Sequence, residues 1–235
     1  MPAYLTLPGT PSKPLPTIVL IHGGAQARDR WGWDPQAQIL AAHGYAVFQP
    51  QLRGSSGFGL HFEDAGRGQR GLAMQDDIAA GVRYLIAHGI ADATRICIVG
   101  VSDDGHAALR ALARTPELYR CGVSDMRQSR PGDPRAMKAT SDSVAPLEHA
   151  DRITAPVLII HGALDERVPI EHAKRLRDAL AALDKDVTWL ELPRALKRER
   201  HGVVAPGRQL FSSKSAITPV ATAARTKSPL TWTQW

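Results

Sequence analysis

The chain has 235 residues, 43% of them hydrophobic, and a formal net charge of +6, which fits one soluble domain with a sizeable core. No apolar run is long enough to span a membrane, and the N-terminus lacks the features of a signal peptide, so we expect a cytoplasmic protein without a membrane partner. The body is nearly balanced in charge, which argues against a nucleic-acid partner. Four of the six surplus positive charges lie beyond residue 201, at Arg208, Lys214, Arg225 and Lys227.

The elements predicted in chain order alternate between strands and helices. Residues 1–16 are rich in proline and predict an edge strand followed by a loop. This alternation, with continuous apolar runs in the strands, predicts an α/β fold of the α/β-hydrolase type with a mostly parallel sheet and helices on both faces. Further strands are predicted at 17–21, 45–50, 96–99, 119–123, 156–162 and 187–192, and helices at 34–43, 73–88, 107–112 and 171–183.

Residues 124–150 are predicted to be irregular, and residues 207–235 form a different kind of segment. The last stretch is rich in Ser, Thr, Ala and Pro and has no hydrophobic period. We therefore predict a catalytic domain over residues 1–206 and a disordered or atypical tail over 207–235.

The two cysteines, Cys97 and Cys121, fall in or beside predicted buried strands. We interpret them as small buried apolar residues rather than a disulfide or a metal site, as is usual in a reducing cytoplasm.

The stretch around Ser102 predicts a nucleophile elbow. An apolar strand ends at Gly100, Ser102 follows two residues later, and a helix is predicted to begin soon after. Such a turn exposes the serine hydroxyl and directs the first N–H groups of the helix at the same point. The motif G-x-S-x-G is incomplete because Asp104 stands where glycine is expected and Gly105 comes one position late. The alternative interpretation is an ordinary turn or N-cap serine.

Asp165 and His201 complete a candidate catalytic triad with Ser102. Each follows a different predicted strand, and the chain order Ser, Asp, His is that of α/β-hydrolases. A serine hydroxyl is a weak nucleophile until a base removes its proton, and a carboxylate orients the histidine that acts as this base. The alternatives are that Asp165 only caps a turn and that His201 lies in a solvated basic loop.

The oxyanion hole needs two backbone donors. The N–H of Asp103 is the first candidate because it directly follows the serine. Gly23 and Gly24, in a glycine turn after an early strand, supply the second, unless they only form a tight turn. The sequence has no visible metal cluster, phosphate-binding loop or complete dinucleotide fingerprint, so we expect no cofactor and no metal.

Several stretches together resemble the catalytic domain of the prolyl oligopeptidase family (S9) of serine peptidases, on its dipeptidyl-peptidase and acylaminoacyl-peptidase side. The resemblance covers roughly residues 3–206 and implies an α/β-hydrolase fold, hydrolysis of peptide bonds near a free or blocked N-terminus, no cofactor, and the triad Ser102, Asp165 and His201. It rests on HGG at 22–24, RD at 28–29, WGWDP at 31–35, GYAV at 44–47, RGS at 53–55, MQDDI at 74–78, RI at 95–96, TPELYR at 115–120, APVL at 155–158, HG at 161–162 and Asp165.

The chain departs from this family in four respects. The elbow reads Ser-Asp-Asp-Gly where the family has Ser-Tyr-Gly-Gly. The stretch between residues 123 and 155 is short, and we expect neither the family's N-terminal β-propeller nor its closing helix, in whose place the tail stands. We therefore expect a fold truncated at the lid region and the C-terminus.

The function that the sequence favours is that of a serine hydrolase, most readily a serine-type peptidase acting through an acyl-enzyme. Its partner would be a peptide or an ester substrate. The alternatives are a degenerate, non-catalytic α/β-hydrolase fragment and a carboxylesterase for small esters. The sequence does not determine the oligomeric state, and a homo-oligomer is one of the alternatives.

Overall fold

The computed structural model describes residues 1–24, 26–101, 105–126, 145–163, 165 and 169–192. The strands are β1 Ala3–Thr6, β2 Leu15–Ile21, β3 Ala46–Pro50, β4 Ala91–Val101, β5 Cys121–Met126, β6 Val157–Gly162 and β7 Val187–Leu192. The α-helices are α1 Pro35–Ala42, α2 Leu60–Asp64, α3 Ala73–Ala87, α4 Gly105–Arg114 and α5 Ile170–Ala182, and two 3₁₀ segments lie at Pro116–Leu118 and Pro146–Arg152.

The seven strands form one sheet in the order β1-β3-β2-β4-β5-β6-β7. β1 is an edge strand that runs antiparallel to β3, and the other neighbouring pairs are parallel. This confirms the predicted mostly parallel α/β sheet. Because parallel strands share one direction, the carboxyl ends of β2 to β7 meet at one edge of the sheet, where ligands bind in open α/β folds.

Helices cover both faces of the sheet, as predicted. On one face, α1 packs its buried alanines, Ala37 and Ala41, against Leu20 and Val47 of the central strands. On the opposite face, α3, α4 and α5 share one large apolar core with the alternate residues of the same strands, such as Val19 and Ile98. Strands buried on both faces explain why the sequence shows continuous apolar runs rather than alternation.

Individual residues fix the start of α1 and the contact of α4 with the sheet. The Asp34 carboxylate accepts hydrogen bonds from the backbone N–H groups of Gln36 (2.8 Å) and Ala37 (3.0 Å), so it caps the first turn of α1. In β5, a Cβ atom on Gly122 would collide with the side chain of Leu112. Glycine at this position therefore lets α4 lie directly on β5.

The interpretation of the cysteines as unpaired is wrong. Cys97 in β4 and Cys121 in β5 are register partners, their Cα atoms are 4.7 Å apart, and they form a disulfide. The strands were predictable but their register was not, and the register brings the two thiols together.

The largest differences from the sequence-based boundaries concern β4, β5 and α2. β4 begins at Ala91, five residues before the predicted start, because Ala91 pairs with Leu15 across a register shift in β2. β5 begins at Cys121 and runs to Met126, into the stretch predicted as irregular. The short helix α2 was not predicted. Among the described helices, none has the length and apolar composition needed to cross a bilayer.

Candidate active site

The carboxyl edge of the sheet gathers the segments that carry the predicted site residues. β4 ends at Val101 and α4 begins at Gly105, so a strand and a helix flank residues 102–104 as the elbow motif requires. Ser102 and Asp103, the predicted nucleophile and the first predicted oxyanion donor, lie outside the described residues, as does Asp104.

Asp165 lies just beyond the end of β6. Its backbone N–H donates a hydrogen bond to the Gly162 carbonyl (3.1 Å), and the residue is partly buried. β5 separates β6 from β4 in the sheet, so the Asp165 segment lies two strands from the segment that contains Ser102. His201 follows β7 by nine residues and lies outside the described residues.

The glycine turn predicted to supply an oxyanion donor follows β2, the neighbour of β4. Ile21 of β2 pairs in register with Gly100 of β4, so the turn begins beside the end of the elbow strand. Gly24 adopts a positive φ of 89°, a conformation that favours glycine, and its carbonyl accepts a hydrogen bond from the Ala27 N–H (2.8 Å).

The residue that opens this turn, His22, has a partner that the sequence analysis did not foresee. Its Nε2 atom lies 3.2 Å from the Ser55 hydroxyl, within hydrogen-bond distance. Burial lowers the pKa of His22 to about 4, so the imidazole is neutral at pH 7. Ser55 is wholly buried. A nucleophile must reach its substrate, and no described carboxylate binds the Nδ1 atom of His22, so this pair lacks the features of a catalytic dyad.

The signal for this contact was present in the sequence as two separate motifs, HGG at 22–24 and RGS at 53–55. The spacing of these two motifs in the sequence does not predict a contact between them. They meet because β2 and β3 are adjacent parallel strands, so the segments that follow them leave the sheet side by side.

The second of these segments is anchored to α3 by an ion pair. The Arg53 guanidinium donates to both carboxylate oxygens of Asp77, from Nη2 to Oδ1 at 2.6 Å and from Nε to Oδ2 at 2.8 Å, and the Arg53 backbone N–H donates to Oδ2 at 3.1 Å. Such forked, charge-assisted pairing fixes orientation as well as distance. The RGS stretch is thereby tied to a helix of the main core.

A half-buried acid lies at the far end of the glycine loop. The backbone N–H of Asp29 donates to the Gln51 side-chain oxygen at 3.2 Å, while its own Oδ2 atom is buried and accepts no hydrogen bond from a described residue. Burial, and then the negative charge of Asp34, raise the pKa of Asp29 to about 7. Asp29 therefore titrates near neutral pH.

Two further histidines lie near the sheet edge. His106 is in the first turn of α4, and burial is the main reason that its pKa falls to about 4; the positive charge of Arg70 and the proximity of His172 and His161 contribute. His161 is wholly buried in β6. Within the described ranges, no three His, Cys, Asp or Glu side chains are grouped so that they could hold a metal ion.

Comparison with known proteins agrees with this architecture. Residues 31–217 match the prolyl oligopeptidase family. The chain is 34% identical to dipeptidyl aminopeptidase BIII of Pseudoxanthomonas mexicana over 87% of its own length and 34% of that protein. It is 33% identical to dipeptidyl peptidase family member 6 of Caenorhabditis elegans over 86% of its length and 30% of that protein.

A solved structure gives the same result for the fold. A puromycin-hydrolyzing peptidase from Mycobacterium tuberculosis superposes with a TM-score of 0.71 and 25% identity, covering 81% of this chain and 33% of that one. The chain thus spans about a third of the length of the relatives that it matches. These matches confirm the predicted resemblance and the α/β-hydrolase fold. The chain belongs to the prolyl oligopeptidase family.

Proposed function

We propose that the chain is the catalytic unit of a serine peptidase, with Ser102 as nucleophile, His201 as base and Asp165 as the carboxylate that orients the histidine. The observation that carries this proposal is the meeting of the ends of β2, β4 and β6 at one edge of the sheet. The segments that follow these strands contain the glycine turn, Ser102 and Asp165. Family membership supports the same assignment.

The proposed reaction proceeds through an acyl-enzyme. The Ser102 oxygen attacks the carbonyl carbon of the scissile bond while His201 takes the hydroxyl proton. The N–H of Asp103 and an N–H of the Gly23–Gly24 turn stabilise the negative charge on the carbonyl oxygen. His201 then donates the proton to the leaving amine as the C–N bond breaks. A water molecule, deprotonated by His201, cleaves the ester and restores the Ser102 hydroxyl.

The printed names of the relatives support one substrate class. Two of them are a dipeptidyl aminopeptidase and a dipeptidyl peptidase family member, and the solved structure is of a puromycin-hydrolyzing peptidase. We therefore propose short peptides cleaved near their N-terminus as substrates. The second candidate is a carboxylesterase for small esters, which the short stretch between residues 123 and 155 favours, because little chain is available there to form a peptide-binding pocket.

A panel of chromogenic substrates separates these candidates. A dipeptidyl p-nitroanilide with a free N-terminus, an N-acetylaminoacyl p-nitroanilide and p-nitrophenyl butyrate are compared at pH 7.5 with wild type and Ser102→Ala. Cleavage of an anilide by wild type but not by Ser102→Ala supports the peptidase. Cleavage of the ester alone favours the esterase. Equal rates for wild type and Ser102→Ala on every substrate would contradict both the peptidase and the esterase. The remaining interpretation would then be a degenerate, non-catalytic fragment.

Restoring the glycine at the elbow tests whether Asp104 limits the activity. By its position in the motif, Asp104 would place bulk and a negative charge where glycine is expected, near the developing oxyanion. We expect Asp104→Gly to raise the ester kcat by roughly tenfold, because one misplaced charge at an oxyanion site is worth a kcal/mol or more. Asp103→Asn, which alters the neighbouring charge but not the glycine position, serves as the control. An unchanged or lower rate for Asp104→Gly would refute this explanation.

A cytoplasmic location is also part of the proposal, and the disulfide weighs against it. Disulfides persist in oxidising compartments and are rare in the cytoplasm. The register of β4 and β5 would place Cys97 beside Cys121 in either redox state. In this proposal the bond stays open in the reducing cytoplasm and closes only on exposure to oxygen, so we expect protein taken directly from its native cells under thiol-blocking conditions to carry two alkylated cysteines by mass spectrometry. Protein that becomes alkylated only after reduction would contradict the cytoplasmic location.

A further inference from the structure

Two loops that follow adjacent strands run side by side near the proposed active site. The first, residues 22–29, follows β2 and contains the glycine turn; we call it the glycine loop. The second, residues 51–58, follows β3; we call it the clamp segment. Among their described residues, four hydrogen bonds join them, between His22 and Ser55, Gln26 and Ser56, Arg28 and Gly57, and Asp29 and Gln51.

Two of these contacts use side chains of the clamp segment that are wholly buried. The Ser55 hydroxyl lies 3.2 Å from His22 Nε2 at the start of the glycine loop, and the Gln51 side-chain oxygen accepts from the Asp29 N–H at its end. Each bond satisfies polar groups that water reaches poorly. Losing one of them leaves a buried group without a partner, which is more disruptive than losing an exposed hydrogen bond.

The clamp segment is itself held by the core. Arg53, between the two buried residues, is bound to Asp77 of α3 through three hydrogen bonds, and Gly54 donates to the Phe62 carbonyl at 2.9 Å. At the outer end of the contact, the Arg28 guanidinium lies 5.7 Å from the centre of the Phe58 ring. Rigid support is therefore transmitted from α3 through the clamp segment to the glycine loop.

We propose that Ser55 and Gln51 are positioning residues that hold the glycine loop, at its two ends, in the conformation that presents its backbone donor to the reacting carbonyl oxygen. This inference rests on the proposed serine hydrolase activity. Neither residue touches the substrate. Their effect passes through the loop, and a donor that stabilises charge only in the transition state loses its effect when it moves by about an ångström.

The role predicts a particular kinetic signature. Because the oxyanion forms after substrate binding, displacement of the donor lowers kcat and leaves KM nearly unchanged. We expect Ser55→Ala to lower kcat by roughly 10- to 100-fold with less than a threefold change in KM. Ser55→Thr keeps the hydroxyl and is expected to retain most of the wild-type kcat.

The matched control is Ser56→Ala. Ser56 is the next residue, and its hydroxyl makes no hydrogen bond to any part of the chain that the structure describes; its contact with Gln26 uses the backbone N–H. Ser56→Ala therefore removes a hydroxyl from the same segment without removing a clamp bond. We expect its kcat and KM to equal those of wild type.

Hydrogen–deuterium exchange tests the clamp independently of any activity. In Ser55→Ala, amides of residues 22–30 are expected to exchange at least several-fold faster than in wild type, while those of α3 keep their wild-type rates and show that the fold is intact. Gln51→Met, which removes the acceptor at about constant length, is expected to accelerate exchange in residues 26–31.

The two readouts separate the failure of this inference from the failure of the proposed function. Faster exchange of the glycine loop together with lower kcat in Ser55→Ala, but not in Ser56→Ala, supports the positioning role. An active wild type with unchanged loop exchange or unchanged kcat in Ser55→Ala overturns that role alone. A wild type that hydrolyses no substrate and behaves as Ser102→Ala overturns the proposed function, and the positioning role with it.

Discussion

Replacing His201 by alanine is expected to lower kcat by roughly 10⁴-fold or more, since removal of the base leaves Ser102 as an unactivated hydroxyl. Asp165→Asn is expected to lower kcat by about 10⁴-fold at neutral pH, because an amide favours the wrong tautomer of the histidine. Both reductions in kcat are to be measured by steady-state hydrolysis of the best substrate of the panel. Thermal unfolding of each variant checks that the fold is intact.

The sequence offers a matched control for each of these variants. Glu166→Gln neutralises the carboxylate next to Asp165 and is expected to change kcat by less than about threefold, because it removes no group assigned to the triad. His88→Ala is the control for His201→Ala, since His88 is an exposed residue at the end of α3. It is likewise expected to change kcat by less than about threefold. If Glu166→Gln caused the larger loss, the carboxylate of the triad would be Glu166 and not Asp165.

Asp29 is expected to make stability depend on pH in an unusual direction. Its pKa is raised to about 7 in the folded protein and is close to 4 in an unfolded chain, so the folded state holds the proton more tightly. Stability is therefore lost as the pH rises from about 4 through 7. The full shift would correspond to about 4 kcal/mol, and screening of a partly buried carboxyl reduces this to about 2 kcal/mol.

Asp29→Asn removes this titration. Between pH 5 and pH 8, the free energy of unfolding of the variant relative to wild type is expected to rise by about 2 kcal/mol, measured by urea denaturation. Asp64→Asn, in an exposed carboxylate paired with Arg67, is the control and should show no such trend. Parallel pH profiles for wild type and Asp29→Asn would contradict the assignment of a raised pKa to this carboxyl.

Much of the fold could be predicted because its strands are buried on both faces. Continuous apolar runs such as residues 17–21 and 157–160 have few alternatives in a chain of this length. Asp34 followed by Pro35 marked the start of α1, and the structure shows the capping bonds that such a pair predicts. Where strong local signals and burial agreed, the predicted boundaries lie within a residue or two of those observed.

The features that sequence reasoning missed depend on contacts distant in the chain. The pairing of Cys97 with Cys121 follows from the register of two strands, and the contact of His22 with Ser55 follows from the adjacency of β2 and β3. Helix α2 is only five residues long and has no buried residue, so no hydrophobic period could reveal it. The triad differs from these contacts, because the roles of Ser102 and His201 stay predictions that rest on their order in the chain and on family membership.

Labelling with a fluorophosphonate tests the central claim most directly, because this probe reacts with activated serines and forms a stable adduct. Purified protein is labelled, digested and analysed by mass spectrometry to locate the modified residue, with Ser102→Ala as the blank. The account predicts one adduct, on Ser102, that is lost in Ser102→Ala and strongly reduced in His201→Ala. A folded wild type that carries no adduct, or that carries it on Ser55 or another serine, would contradict it.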